Sequence, residues 1–428
     1  MATNTDIYRV AVLSTFVSPA LYISLVFGSM MNTLRGNDWK RVRNLLTPTF
    51  SSGKLKLMVK QMNKCCAQFT KNILKTSQDK NGFDAKETSG CFTMDVIGST
   101  AFGLDMNSLN DPENIFVTNA RKAMYFSVFS LRSLIVLLTP FLLPIITRLK
   151  LDFLVDLEVL NFFKQVTQEA ISRRKTESGD KRTDLIQLMI NAHNDVTDDN
   201  EVRAEASELG GTYDSSVAKK GLSEDEVSAQ GILFFLAGFE TSANTMSFMM
   251  HTLATKPIIQ EKLYKEIMEA VGDKDVIDYD TVMNIEYLDM FINEIMRVFT
   301  IAPILTRVCE RDVTINGIHI KKGQMVTIPV LAIHYDEKRW KNPEQFDPER
   351  FSPENKQNIG PFDWLPFGYG PRNCIGMRLA MLEAKLAISH ILRSVKLVPS
   401  PNTKVPLKFA KSGFHVREGV WIAAEPRK

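Results

Sequence analysis

Pro366-Phe367-Gly368-Tyr369-Gly370-Pro371-Arg372-Asn373-Cys374-Ile375-Gly376 places one cysteine in a glycine-punctuated loop. The residues after it, Met377 to Leu392, are spaced as an amphipathic helix, which puts Cys374 at a helix N-terminus. There the dipole and the unpaired N–H groups bias a thiol toward thiolate. Gly370 and Gly376 remove side chains on both sides of the sulfur, so a flat ligand can approach the backbone. Arg372 offers a fixed cation for an anionic group on such a ligand. A lone cysteine is most often a small buried hydrophobe. Glycines and an arginine at these offsets favour a metal-binding thiolate instead.

The rest of the composition narrows the function classes. The 428 residues carry 52 Lys and Arg against 49 Asp and Glu, a net charge of +3 with both signs interspersed. No basic run or arginine–aromatic alternation suggests nucleic acid. The cysteines Cys65, Cys66, Cys91, Cys309 and Cys374 are odd in number and irregular in spacing, which excludes a disulfide framework or a zinc set and fits a reducing compartment. The 6 histidines show no His-x-x-x-His or His-Glu pairing, so a histidine-held metal is unsupported. No charge falls between Arg9 and Arg35, and Val10 to Met31 is apolar enough in length to span a bilayer. Pro19, several Ser and Thr, and the lack of a basic flank favour a buried or cofactor-facing segment.

Helical periodicity dominates residues 38–190 and 222–300, and short strands and turns follow from 305. Asn316-Gly317 predicts a hairpin of Val313–Ile315 with Ile318–Ile320, and Met325–Val330 reads as a further strand. Lys411-Ser412-Gly413 before Phe414 suggests a second hairpin. His193 to Lys220 reads as an exposed polar loop. Between Arg132 and Arg148 an apolar run broken by Pro140 and Pro144 is either core or a greasy lid at a membrane surface. The fold class is mainly α with a smaller β part.

Ser223 to Glu226 forms a capping box, predicting a helix from Glu224 to Thr255 of roughly 48 Å at 1.5 Å per residue. In its middle lies Ala237-Gly238-Phe239-Glu240-Thr241, a glycine and an acid inside an apolar run. Broken local rules mark a site. Either Ala237 and Gly238 leave room over a flat cofactor, with Thr241 anchoring water and Glu240 supplying protons, or this is a packing groove with a solvated glutamate. Glu294 and Arg297 share a helix face and Arg350 lies downstream; alone, such a pair is a common surface feature. Trp39 and Arg43, one turn apart, can both donate to a carboxylate or can sit on a surface helix.

Phe-x-x-Gly-x-Arg-x-Cys-x-Gly is matched by Phe367, Gly370, Arg372, Cys374 and Gly376, and resembles the haem-binding signature of cytochromes P450. Ala-Gly-x-Glu-Thr resembles that family's oxygen-activating helix, and Glu294, Arg297 and Arg350 resemble its buried triad. Trp39–Phe50, Tyr287–Glu294, Arg307–Gly317 and Pro366–Gly376 look like vertebrate family 3, subfamily A. The resemblance implies a haem-thiolate monooxygenase with haem b on Cys374 and propionate donors Trp39, Arg43, Arg307 and Arg372. It implies catalytic roles for Thr241 and Glu240 and a cavity lined by Leu233, Phe234, Leu236, Ala237, Thr241, Ile301, Ala302 and Phe414, suited to steroid-, fatty-acid- or xenobiotic-like substrates. With no phosphate loop or dinucleotide fingerprint visible, electrons are expected from an NADPH–cytochrome P450 reductase, with cytochrome b5 as a further candidate partner. Lys40, Arg41 and Arg378 are candidate docking cations. The implied location is the cytoplasmic face of the endoplasmic reticulum membrane.

The likeness covers residues 37–428 as a single haem domain after an atypical apolar segment, 1–36. Family members carry an anchor, an early helix and the first strands of a sheet before the Trp-x-x-x-Arg helix; here these are expected to be missing. A haem-thiolate peroxide isomerase and a non-catalytic haem-binding protein are the alternatives. Thr241 favours monooxygenation over the isomerase.

Overall fold

The computed structural model describes residues 28–79, 81–124, 157–176, 184–191, 221–409 and 416–427. Its helices are α1 (Gly36–Leu46), α2 (Ser52–Thr76), α3 (Ala85–Ala101), α4 (Ile115–Met124), α5 (Leu157–Thr176), α6 (Leu185–Asn191), α7 (Glu224–Thr255), α8 (Pro257–Val271), α9 (Glu286–Val298), α10 (Val330–His334) and α11 (Met377–Ser394). Its strands are β1 (Phe83–Asp84), β2 (Leu305–Val308), β3 (Val313–Ile315), β4 (Ile318–Ile320), β5 (Met325–Ile328), β6 (Val395–Val398) and β7 (Trp421–Pro426).

The capping box forms as expected: the Ser223 hydroxyl accepts from the Glu226 N–H, and the Glu226 carboxylate accepts from the Ser223 N–H. The helix it opens, α7, is buried around most of its circumference, because α3, α5 and α11 pack on different sides of it. Phe235 of α7 stacks on Phe102 at 3.9 Å and meets Phe163 of α5 at 5.0 Å, and Phe116 of α4 closes the group. Pro257 starts α8, the helix that follows, at a position that needs no N–H.

The β part is split. Asn316 and Gly317 adopt the left-handed conformation and join β3 to β4, with Val313 opposite Ile320. Strand β5 stops at Ile328 rather than Val330 and pairs antiparallel with β2, which the sequence reading passed over. The remaining sheet is ordered β1-β7-β6 and ties Phe83 to Ile422 across the chain. The hairpin expected around Lys411-Ser412-Gly413 lies outside the described residues, although Phe409 and Val416 on either side form an antiparallel bridge. The loop at 193–220 and the apolar run at 132–148 also lie outside them, as do residues 1–27 of the apolar N-terminal stretch. Among the described residues, no helix is long and apolar enough to cross a membrane.

Phe235 has no exposure and sits where α3, α4, α5 and α7 converge. Phe235→Ala should therefore cost about 3–5 kcal/mol, read as a lowered denaturant midpoint with unchanged slope.

Candidate active site

A cavity of about 940 Å³ opens between α7 and the cysteine loop. Ala237, Gly238 and Thr241 of α7 line one side; Arg372, Cys374 and Gly376 line the other; Trp39, Arg43 and Arg307 complete the rim. The sequence therefore brought together its two strongest motifs, which are far apart in the chain.

The loop is shaped by its own backbone. Gly370 has φ +80°, where a side chain would be strained, and its carbonyl accepts from Asn373 N at 2.9 Å. Cys374 N donates to the Phe367 carbonyl at 2.8 Å, so Phe367 and Gly370 form the loop without lining the cavity. Cys374 is exposed and lines the cavity. Although open to the cavity, the sulfur is desolvated by the protein around it, which pushes its thiol above the ordinary value, and the Gly376 N–H and Arg43 pull it back only in part. The expected bias toward thiolate from the helix end is thus corrected: desolvation outweighs it in the protein alone.

Arg43 also differs from expectation. It lines the cavity, but its guanidinium donates to the Asn373 carbonyl at 2.9 Å and side-chain oxygen at 2.8 Å, clamping the residue before Cys374. Arg372 lies 4.3 Å over the Trp39 ring and donates to the Leu34 carbonyl. Arg307 donates to the Thr306 carbonyl at 2.9 Å. Burial lowers the pKa of both Arg43 and Arg307. The oxygens bonded in these contacts are amides, and Arg43, Arg307 and Arg372 bring positive charge to the cavity lining, where a flat dianionic ligand would meet it. A Cβ added to Gly376 would meet nothing within 4 Å, leaving open volume beside the sulfur. Space, thiol and cations together fit haem.

On α7 two expectations change. A Cβ on Gly238 would lie 2.9 Å from the end of the Ile97 side chain of α3, so this glycine also lets α3 pack closely and a side chain there would make Ile97 shift. Glu240 does not line the cavity; it pairs with Lys86 of α3 and is bonded by Asn244. Its role as a proton supplier beside Thr241 has no support in this geometry. Thr241 does face the cavity, and its hydroxyl donates to the Ala237 carbonyl at 2.6 Å, leaving oxygen lone pairs to accept.

Of the expected apolar wall, Leu233 and Phe234 line the cavity, with Phe50 packed edge-on to Phe234 at 5.3 Å. Leu236, Ile301 and Ala302 do not line it; the first two pack against the core instead. Phe414 lies outside the described residues. Val96, Ile97 and Leu185 line the wall and were missed, since an apolar helix face carries no signal of which cavity it meets. Arg41, expected as a docking cation, pairs with Glu226 and donates to the Gly221 carbonyl, tying α1 to the start of α7. Lys40 is exposed.

The triad assembles. Arg297 makes two 2.7 Å bonds to Glu294, both side chains having no solvent exposure, and Arg350 reaches Glu294 at 3.4 Å. His334, which no motif announced, extends it. Arg297 donates to the His334 carbonyl, and the His334 ring accepts from Leu365 N at 2.9 Å, the residue before Pro366. The ring's other nitrogen meets Thr300, whose hydroxyl donates to the Arg297 carbonyl.

Removing Arg297 strands a buried carboxylate, so Arg297→Ala should cost about 3–5 kcal/mol and Arg297→Lys should recover only part. Burial and Arg297 lower His334 to about 3. The unfolded chain then binds the proton more readily below the ordinary histidine value, so this contribution to stability is present above pH 6.5 and falls as pH drops. Denaturant midpoints measured from pH 7 to pH 4 should decline, at up to about 1.4 kcal/mol per pH unit from this group, and His334→Gln should flatten the slope.

A family model described as cytochrome P450 matches residues 14–420. The chain is 40% identical over 389 residues to cytochrome P450 3A11 of Mus musculus, spanning 91% of this chain and 74% of that protein. It is 40% identical over 377 residues to cytochrome P450 3A9 of Rattus norvegicus, spanning 88% and 71%, and to cytochrome P450 3A6 of Oryctolagus cuniculus, spanning 88% and 72%. The chain belongs to the cytochrome P450 family, and is a monooxygenase of lipophilic substrates that takes cysteine-ligated haem b and electrons from a redox partner.

Proposed function

We propose that Cys374 would hold the iron of that haem through its sulfur, and that the cavity it shares with Thr241 is where oxygen insertion would take place. The observation that carries this is that the exposed Cys374 and the small residues Ala237 and Gly238 of α7 line one cavity. The sulfur would bind iron as thiolate, giving up the proton that burial favours in the protein alone. Trp39, Arg307 and Arg372 would hold the carboxylates, while Arg43 acts through Asn373 to fix the loop. Bound haem supplies oxygen activation and the insertion of one oxygen atom into a substrate C–H bond.

The protein's own contribution is orientation, dryness and protons. Leu233, Phe234 and Phe50 exclude water and select apolar substrates, and Ala237 leaves the space over the ligand clear. Thr241, already donating to Ala237, receives hydrogen bonds from whatever oxygen or water lies beside it. The electron source is an NADPH–cytochrome P450 reductase, with cytochrome b5 as a second donor, and the exposed Lys40 is a cation for their docking. Residues 37–428 act as one haem domain, held at the cytoplasmic face of the endoplasmic reticulum membrane.

Reduction of the haem-loaded protein under carbon monoxide should give the red-shifted Soret band of thiolate ligation, and Cys374→Ser should abolish it. An unchanged spectrum in that variant would exclude Cys374 as the ligand.

A further inference from the structure

A second cavity, of about 740 Å³, lies between α2 and the residues that follow α3. Met58 and Gln61 of α2, Asp95 and Ser99 of α3, and Leu104 and Asp105 just beyond it belong to the lining. It meets the first cavity at Thr100 of α3, which is 2% exposed and lines both. The two also come together where Asp184 lines the second and Leu185, its neighbour in the chain, lines the first. Oxygen insertion makes no use of this second space.

Its wall holds a buried acid without a counter-charge. Asp95 is 9% exposed, and its oxygens accept from Ser108 N at 2.7 Å and Leu109 N at 3.2 Å. A carboxylate offers about four acceptor positions, so about two are left over. Among the described residues no lysine, arginine or histidine pairs with Asp95, although buried carboxylates are ordinarily paired. Burial raises this carboxyl, the Ser108 and Leu109 groups draw it back in part, and Asp105 raises it further. Organising the turn at 108–109 accounts for its two backbone bonds and leaves its charge unanswered. Asp184 differs, because Arg174 donates to it at 2.5 Å. Against Asp95 and the exposed Asp105 the lining sets only the exposed Lys64, so the cavity keeps an excess of negative charge.

We propose that this cavity binds an organic ammonium ion with a short alkyl chain, its head on Asp95 and its chain on Met58 and Leu104, and that its occupancy is felt in the first cavity through Thr100. The ligand class follows from the lining. An anion would face Asp95 and Asp105 as like charges, and a neutral apolar ligand would desolvate Asp95 further without pairing it. No group of three acidic, histidine or cysteine side chains among the described residues is placed to hold a metal ion, which leaves an organic cation. Leu57, 55% exposed and also in the lining, extends the apolar surface for the chain.

The shared wall carries the coupling. The Thr100 hydroxyl donates to the Val96 carbonyl at 2.7 Å, and Val96 lines the first cavity. Asp184 accepts from Gln187 N at 2.8 Å at the start of α6, and Arg174 ties it to the Phe102 carbonyl at the end of α3. A ligand seated against Thr100 and Asp184 therefore bears on the segments that present Val96 and Leu185 to the first cavity. By linkage, a substrate there and the ammonium ion here change each other's affinity by the same factor.

The test uses the haem-loaded protein and hexyltrimethylammonium, whose nitrogen has no lone pair to offer iron. Calorimetry at neutral pH should show one saturable site, weakened at least about tenfold by Asp95→Asn. Asp105→Lys reverses a charge at an exposed position outside the 108–109 turn, and should weaken binding even where Asp95→Asn disturbs that turn. The uncharged 1-heptanol should bind less tightly than the ion. With a lipophilic substrate probe followed by the Soret band, saturating ion should change the probe's affinity about fivefold or more. Both variants should lose that effect while keeping the probe's own affinity. Absent binding, equal binding to wild type and both variants, or strict competition between ion and probe overturns the site. Binding that leaves the probe's affinity unchanged overturns the coupling. The calorimetric result does not involve Cys374, so failure of thiolate ligation and failure of this site are separate outcomes.

Discussion

Arg297 has no exposure to solvent, and the geometry of the cysteine loop depends on how its charge is satisfied. An isolated buried guanidinium would be intolerable, and Glu294 answers it with both carboxylate oxygens. The remaining donors go to the His334 and Gln345 carbonyls, which fixes α10 and the turn before Arg350 against α9. Because the same histidine then accepts from Leu365 N, the satisfied charge is mechanically continuous with the loop. The sulfur is positioned by a chain of hydrogen bonds that begins at a salt bridge and ends one residue before Pro366.

The opposite anchor is α7. Its glycine at 238 lets Ile97 approach, so α3 and α7 cross closely beside the cavity. Its Ser242 reaches across to α11, the helix that begins right after Cys374. The two sides of the cavity are thus joined by a polar contact between α7 and α11, and buried polar contacts of that kind fix register.

What the sequence disclosed follows the range over which each signal acts. The ends of α7, the β3–β4 hairpin and the start of α11 are encoded locally, by a capping box, by Asn316-Gly317 and by Gly376, and were legible. Strands β1, β6 and β7 were not, because Phe83 finds its partner Ile422 only after the whole chain has folded. In the site, motif residues at fixed spacing converged, whereas Glu240, Arg41 and Arg43 were misjudged through partners no spacing can reveal: Lys86, Glu226 and Asn373. Glu383, the α11 partner of Ser242, could have been found. It lies between Leu382 and Ala384 on a buried face, the same anomaly of an acid in an apolar run that drew notice to Glu240.

The short segment ahead of α1 connects both walls. Met31 N donates to the Gln230 side chain, Gln230 donates to the Ser29 carbonyl, and Arg372 donates to the Leu34 carbonyl. Residues 29–34 therefore form a strut braced on the oxygen-side helix at one end and the thiolate loop at the other. Met31 also lines the cavity, so displacing this strut would loosen the oxygen-side helix and the thiolate loop together.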